Sequence, residues 1–580
     1  MAGGAGLAAV AVSVALMVVL GALGPSAIQP RYGSPSALPP WFTERHPPDL
    51  LVYPLVIIVL LIGAVGVGLG LLAVRKGWAP RPRWLLVGGV LATATVLLVP
   101  SMGTTDVLHY AASGRIATLG GDPYTVTPEL LASIGDPVGQ YAMADPWAYL
   151  PSNYGPLATV TEWLASMLGG ASALRTVWWI AVFNGAAFVS TAVLLDRLAG
   201  SDRARRVRVH LAWSLNPIVL WQLVVGAHVD GLAVAAMVAA LAGLTVRRGR
   251  GAALAGLGSA LACAARINYA LLVPGFMWGL RHDRRRLAFG IGAGGIALAM
   301  AFAPFLPGVL SVPLGSQGTF VAGASPWAPV YGALSTVLSR PHARLVVTLM
   351  SAGAFLVVAA LLARGLPEHY KGSLVSRTAR PTAVIFVAWL FTTPHAAPWY
   401  DAAAWAFVPL LPVSWFAVAL LVHTTLLSFG YLYLPGNPIQ PAWLAQVAEN
   451  GALHYVLPVG LTLTAFVIAV IGLRRHGAPA ILTGGLAGAP VRALTRTIGG
   501  PEPAVRIKTR ARAGLEPGAR AKVAIDTGGG AKTGARAGPR TRTGGRAPVA
   551  ARASAGGPAG GTNASQGRRH AEHLGANQPA

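Results

Sequence analysis

The sequence predicts an all-α, polytopic helical membrane protein of about 12–14 transmembrane helices, ending in a disordered basic tail. Three observations carry that prediction. Charged residues are only 11% of the 580, less than half the roughly 25% that coats a soluble domain. Mean hydropathy is +0.57, and several apolar runs reach the roughly 20 residues that cross a bilayer. Lys and Arg fall into short clusters separated by loops that are poor in them, the pattern of alternating sidedness. The alternating ten-residue segments of a transmembrane β-barrel are absent.

The elements follow in chain order. Residues 5–23 form an apolar run with no basic residue before it and no convincing cleavage site, so they read as a retained first helix rather than a signal peptide. Further helices are expected near 50–74, 84–101, 173–196, 208–225, 231–246, 287–305, 344–363, 381–393 and 452–473. Two stretches require pairs of short helices: 251–280, with Arg266 and Asn268 at its middle, and 402–430, broken at Pro409 and Pro412. Basic loops at 75–83, 197–208, 247–250, 281–286, 364–380 and 474–475 are placed in the cytoplasm. The loops 24–49, 102–172, 226–231, 306–340, 394–401 and 431–451 then face outward, and both termini are cytoplasmic.

The expected division is a membrane domain over 1–475 and a tail over 476–580. Residues 481–580 hold 16 Lys and Arg against 4 Asp and Glu in a background of Ala, Gly, Pro and Thr. Such a segment cannot bury enough apolar area to offset its chain entropy. The net charge of +26 invites a nucleic-acid reading, but no aromatic residue interleaves with the basic ones in the tail. A solvated tail attracted to anionic membrane lipids fits better, with no nucleic-acid partner. Cys263 is the single cysteine, so no intrachain disulfide can form.

Polar residues concentrate in the outward loops. Asp106 follows the third apolar run directly, at a boundary where a carboxylate can stay ionised yet meet a substrate anchored in lipid. It is the candidate general base, or else it caps a short helix at 107–117. His109, Tyr110 and Arg115 lie beside it. Asp122-Pro123-Tyr124 and Asn153-Tyr154-Gly155-Pro156 carry turn chemistry, and either scaffold the loop or bind substrate. The aromatic residues of this region serve as a sugar-stacking surface or as an interfacial belt.

His228 and Asp230 share the turn GAHVDG, open to a phosphate-bearing substrate, to metal binding or to plain solvation. Arg266 stands inside an apolar hairpin, where an unpaired cation is costly. Its partner is either an anionic ligand such as phosphate or a buried carboxylate. His395, Trp399 and Tyr400 form another outer mouth. No Walker loop, dinucleotide fingerprint, HExxH or nucleophile elbow occurs in a supporting context.

Taken together and in order, the segments DVLHYAASGR, GGDPYTVTPELL, PSNYGPL, LNPIVLWQLVVGAHVDG, ACAARINYALLVPG and PWYDAAAW resemble the actinobacterial polyprenol-phosphomannose-dependent α-1,6-mannosyltransferases (the MptB group). These are integral membrane glycosyltransferases of the GT-C class. The resemblance covers roughly residues 50–475. The family's G-H-N-D stands here as Ala227-His228-Val229-Asp230, D-V-Y-S-Y as Asp106-Val107-Leu108-His109-Tyr110, S-P-Y-G-P-L as Ser152-Asn153-Tyr154-Gly155-Pro156-Leu157, and a familiar Lys as Arg266.

The resemblance implies mannose transfer, with inversion, from a polyprenyl phosphomannose donor to a mannan or glycolipid acceptor on the outer face of the plasma membrane. It implies Asp106 as catalytic base and, for substrate binding, His109, Tyr110, Arg115, Asp122, Tyr124, Tyr154, His228, Asp230, Arg266, His395, Trp399 and Tyr400. It implies no certain cofactor; a divalent metal is optional, because the leaving group is already a phosphate. An arabinofuranosyl or other lipid-linked sugar transferase of the same architecture is the alternative within the class. A lipid or glycan transporter and a non-catalytic scaffold are the alternatives outside it.

Overall fold

The computed structural model describes residues 1–145, 147–246, 248–311, 321–366, 373–432, 441–446 and 460–461, all within one unit, Met1–Arg492. The described residues are helical, with no β-strand among them. Of the expected helix near 452–473 only residues 460–461 are described, and the tail from 476 onward lies outside the described residues.

Helices α1 (Ala2–Leu23) and α2 (Asp49–Arg75) pack closely. Gly6 faces Gly66 and Gly70, where an added Cβ would come within 3 Å of the partner backbone. Small residues at such a crossing let dispersion contacts act along the whole interface, which matters where lipid tails remove the hydrophobic drive. Asp49 in the first turn of α2 and Arg75 in its last complement the helix dipole. Helix α3 (Pro82–Val96) starts on a proline at N1 and ends sooner than the run 84–101 suggests. Pro100 is the reason, since it pushes Val99 out of helical space.

The long loop 102–172 is itself helical: α4 (Asp106–Thr118), α5 (Pro128–Ser133), α6 (Pro137–Ala142) and α7 (Pro156–Gly169). Pro starts three of these, and the side chains of Thr127 and Asp136 cap α5 and α6. Helix α8 (Ala173–Leu198) crosses back. A rod over Arg203–Val225 follows, made of α9 (Arg203–Val209), a π-turn, α10 (Pro217–Leu220) and a second π-turn. Pro217 lacks the donor a regular helix needs, and the Asn216 side chain caps the restart by accepting from Ile218 and Val219. Helix α11 (Asp230–Gly243) then turns back by 119°.

Helix α12 (Arg248–Ala265), a 3₁₀ turn at Ile267–Leu271 and α13 (Leu272–Leu280) form the expected hairpin, broken at Arg266 (φ −154°, ψ 127°). There follow α14 (Arg284–Phe302), α15 (Leu306–Ser311), α16 (Ala328–Leu334), α17 (Arg340–Gly365), α18 (Leu374–Thr392), α19 (Asp401–Phe407), α20 (Phe416–Gly430) and α21 (Ala442–Gln446). Six of the described helices are long and apolar enough to cross a membrane, or seven with the bent pair; Pro82–Val96, Ile267–Leu280 and Phe416–Gly430 are shorter apolar helices. No side chain of α14 is buried, and Ile291, Ile296 and Met300 stand exposed along it. An apolar surface of that extent is suited to lipid rather than water.

The turn expected at Pro409–Pro412 comes back against the basic loops. Arg208 donates to the carbonyls of Val408 and Leu411 (2.7 and 3.0 Å), Arg205 to those of Pro409 and Leu410 (3.1 and 3.4 Å), and Arg75 to that of Ser414. Arginine forks here satisfy carbonyls that a helix end leaves without partners. Basic residues thus gather at one end of the bundle. The other end carries the turns after α3, after the Arg203–Val225 rod and between α12 and α13.

Candidate active site

The turn before α4 is pinned by backbone bonds to two distant segments, Met102 N–H to the Val225 carbonyl (3.1 Å) and Gly103 N–H to the Ile28 carbonyl (2.6 Å). This brings Asp106 beside the turn 226–229. The Asp106 carboxylate lies 3.9 Å from His228 Nδ1, too far for a direct hydrogen bond. Its side chain keeps 17% exposure. Tyr110, one helical turn on, places its hydroxyl 3.3 Å from the same nitrogen, and Tyr154 donates to the Tyr110 hydroxyl at 3.2 Å. The His228 ring stacks on Trp399 with centroids 3.7 Å apart and planes 18° from parallel.

The turn itself is unusual. Ala227 has φ +48°, left-handed backbone that suits glycine, which is the residue the resembling family carries there. Asn184 holds the strained carbonyl of Ala227 at 3.2 Å.

Arg266 projects from the hairpin tip between two aromatic faces, with its guanidinium carbon 4.9 Å from the ring centres of both Tyr154 and Tyr400. Nη2 donates to the Tyr400 hydroxyl at 2.6 Å, and Nη1 lies 3.3 Å from Asp230 Oδ2. Asp230 is fully buried and Arg266 is 15% exposed. Both sequence options for Arg266 therefore bear on one group: it has a buried carboxylate, and it still reaches the surface. Tyr154 can approach the hairpin because Gly155 follows it. The Gly155 N–H bonds to the Ala265 carbonyl, and a Cβ there would lie 2.1 Å from the Ala264 carbonyl oxygen. Backbone cannot yield cheaply, so Gly155→Ala is expected to lift Tyr154 off Arg266. Overpacking of this kind costs about 1–3 kcal/mol, and a displaced binding group lowers turnover by about a hundredfold. Thermal unfolding and turnover of the purified variant check both.

Burial pushes the Asp106 carboxyl up to about 6, against the opposing pull of Arg266 and of the Thr104 hydroxyl. Burial first, and Arg266 second, hold His228 well below the usual histidine range, so its ring is neutral near pH 7. The Trp147 indole also bonds to the Asp106 carboxylate. Asp145, whose Oδ1 accepts from Trp147 N–H at 3.0 Å, is pushed well above the carboxylate range by burial and then by Asp106. Burial lowers His109 to about 4 and His395 to about 4.

The structure therefore brings together Asp106, Tyr110, Tyr154, His228, Asp230, Arg266, Trp399 and Tyr400. His109 adjoins them through Trp147, and His395 through Tyr400, whose ring centroid is 6.1 Å away. Three candidates stand elsewhere in the loop. Arg115 lies nine residues along α4, about 13 Å from Asp106, and pairs with Asp136 at 2.8 Å. Asp122 accepts from Tyr124 N–H, and the Tyr124 hydroxyl shares a hydrogen with Thr159 (both 2.9 Å). These contacts fasten the loop to itself. Sequence reasoning passed over Asp145 altogether, and also Tyr431, whose ring meets Trp399 at 5.1 Å; neither carries a local signal. Among the described residues no three His, Cys, Asp or Glu side chains gather as a metal-ligand set.

Residues 8–281 match a family described as alpha-(1->6)-mannopyranosyltransferase, N-terminal domain (MptA_B family). One curated relative is a probable alpha-(1->6)-mannopyranosyltransferase of Mycolicibacterium smegmatis, 30% identical over 152 residues, or 26% of this chain. The match spans about a quarter (27%) of that relative's length. The matched stretch 8–281 contains Asp106, Tyr110, Tyr154, His228, Asp230 and Arg266, so these residues lie where the chain is similar to the MptA_B family of alpha-(1->6)-mannopyranosyltransferases.

Proposed function

We propose that the protein is a membrane mannosyltransferase that takes mannose from a polyprenyl phosphate carrier and places it, with inversion, on an α-1,6-mannan-type glycolipid. The observation that carries this reading is the meeting of a partly exposed carboxylate, Asp106, with a tyrosine-flanked cation, Arg266, in one site at the end of the bundle. Asp106 takes the proton of an acceptor hydroxyl as that oxygen bonds to the anomeric carbon. The bond from that carbon to the phosphate oxygen breaks, and its electron pair leaves with the phosphate. Of the five donors of Arg266, those not given to Tyr400 and Asp230 face the departing charge, stabilisation of the oxyanion type. Tyr110, Tyr154 and Trp399 wall the sugar. Charge supports an outward-facing site: it lies on loops poor in Lys and Arg, whereas the opposite end carries Arg75, Arg205, Arg206 and Arg208.

The test is transfer of radiolabelled mannose from polyprenyl phosphomannose to a short α-1,6-mannoside by membranes containing the protein, beside the same assay with polyprenyl phosphoarabinose. Mannose transfer alone supports the reading; arabinose transfer alone replaces it with the sister activity; neither overturns both. A proton-accepting Asp106 also fixes the pH profile. Its ionised form is required and its carboxyl is raised to about 6, so kcat/KM should fall about tenfold per unit below pH 6 and level off above pH 7. A profile flat from pH 5 to 8 removes Asp106 as the base.

A further inference from the structure

At the end of the bundle away from Asp106, an open cavity of about 370 Å³ is lined by Arg81, Pro82, Arg83, Ser201, Arg203 and Arg206. The two elements that start there, α3 and the Arg203–Val225 rod, lead at their far ends to Asp106 and His228, which places the cavity a membrane helix away from the chemistry. Arg206 is held in place by a two-bond fork to Asp196 (2.8 and 2.6 Å), and Arg203 Nε donates to the Pro80 carbonyl at 3.2 Å. Among the described residues no carboxylate pairs with Arg81, Arg83 or Arg203. Four guanidinium groups thus meet one carboxylate around a polar space, and the N-terminus of α3, whose dipole favours an anion, opens into it.

The neighbouring surface identifies the occupant. Trp84, 61% exposed, lies under the Arg83 guanidinium at 5.3 Å. Val87 and Leu91 are also exposed, and with Trp84 they form an i, i+3, i+7 stripe on one face of α3. A basic cavity continuing into an indole and then an apolar stripe matches the order of a phospholipid: phosphate, interface, acyl chain. We propose that Arg81, Arg83, Arg203 and Arg206 bind the phosphodiester headgroup of an anionic membrane lipid whose acyl chain lies along Trp84, Val87 and Leu91. This site takes no part in sugar transfer as proposed above.

The experiment uses the full chain, purified in neutral detergent, and titrates dioctanoyl phosphatidylglycerol, dioctanoyl phosphatidylcholine and inorganic phosphate by native mass spectrometry and thermal shift. Phosphatidylglycerol should bind saturably, at least about tenfold tighter than phosphatidylcholine, because only the former has net charge. R81Q/R83Q/R203Q should lose that preference, and the triple lysine replacement should keep most of it. V87Q/L91Q should weaken the lipid and leave phosphate unchanged, which also carries the test if the glutamine triple does not fold. Phosphate binding as tight as phosphatidylglycerol would make this a free-anion site. Equal binding of the two lipids, or wild-type affinity in R81Q/R83Q/R203Q or in V87Q/L91Q, would overturn the proposal.

Discussion

Asp106→Asn is expected to lower mannosyl transfer by about 10²–10⁴-fold, the usual contribution of a positioned general base, with protein level and melting temperature close to wild type. Asparagine is nearly isosteric, and Asp106 is not the counterion of the buried pair: Arg266 faces Asp230 at 3.3 Å. The neighbouring bonds that set the loop, Asp106 N–H to Thr104 and Tyr110 to His228, survive the change. The loss should fall on kcat with KM little altered, because the proton moves only as the transition state forms. The capping of α4 that the sequence leaves open is not what Asp106 does, since Thr105 is the N-cap and the helix has no side-chain cap bond. Wild-type kcat in the asparagine variant would leave Asp106 only its favourable place at the positive end of the helix dipole.

Arg266→Gln is the second large effect, and it acts on two quantities. The buried Asp230 carboxylate loses its counterion, and breaking such a pair costs about 3–5 kcal/mol. Transfer should also be abolished. The double variant Arg266→Gln/Asp230→Asn separates the two: it removes the orphaned charge and should regain most of the melting temperature, while transfer stays lost. Recovery of both stability and transfer would show that Arg266 serves only to neutralise Asp230. Recovery of neither would place its role in the Tyr154 and Tyr400 stacking.

Much of the fold is legible in the sequence because hydropathy and charge act locally. The hairpin over 251–280 with Arg266 at its break, and the turn near Pro409 and Pro412, follow from apolar length and from where a cation or proline interrupts it. What sequence reading cannot reach is the path of the 102–172 segment. Its four helices are short, three of them started by prolines, and packed through contacts many residues apart. Arg115 looks available for substrate until Asp136, 21 positions on, is seen against it. Asp145 looks like any loop acid until the fold buries it near Asp106. Asp106 stands out because a carboxylate at the mouth of an apolar run is rare, whereas Tyr431 has no such mark and meets Trp399 only through the fold.

The stacking of His228 on Trp399 and of Arg266 on Tyr400 divides the site between two stretches of chain. The family match ends at 281, so it holds Asp106, His228 and Arg266 with Tyr110 and Tyr154, but not Trp399 and Tyr400, which close the site from the other side. A fragment cut at that boundary would retain the reactive side chains with one side open to water. Conversely, exchanges within 394–431 that spare Trp399 and Tyr400 could reshape what the site admits while leaving the partners of His228 and Arg266 in place. That stretch is therefore where the shape of the site can change during divergence, and where a designer should begin.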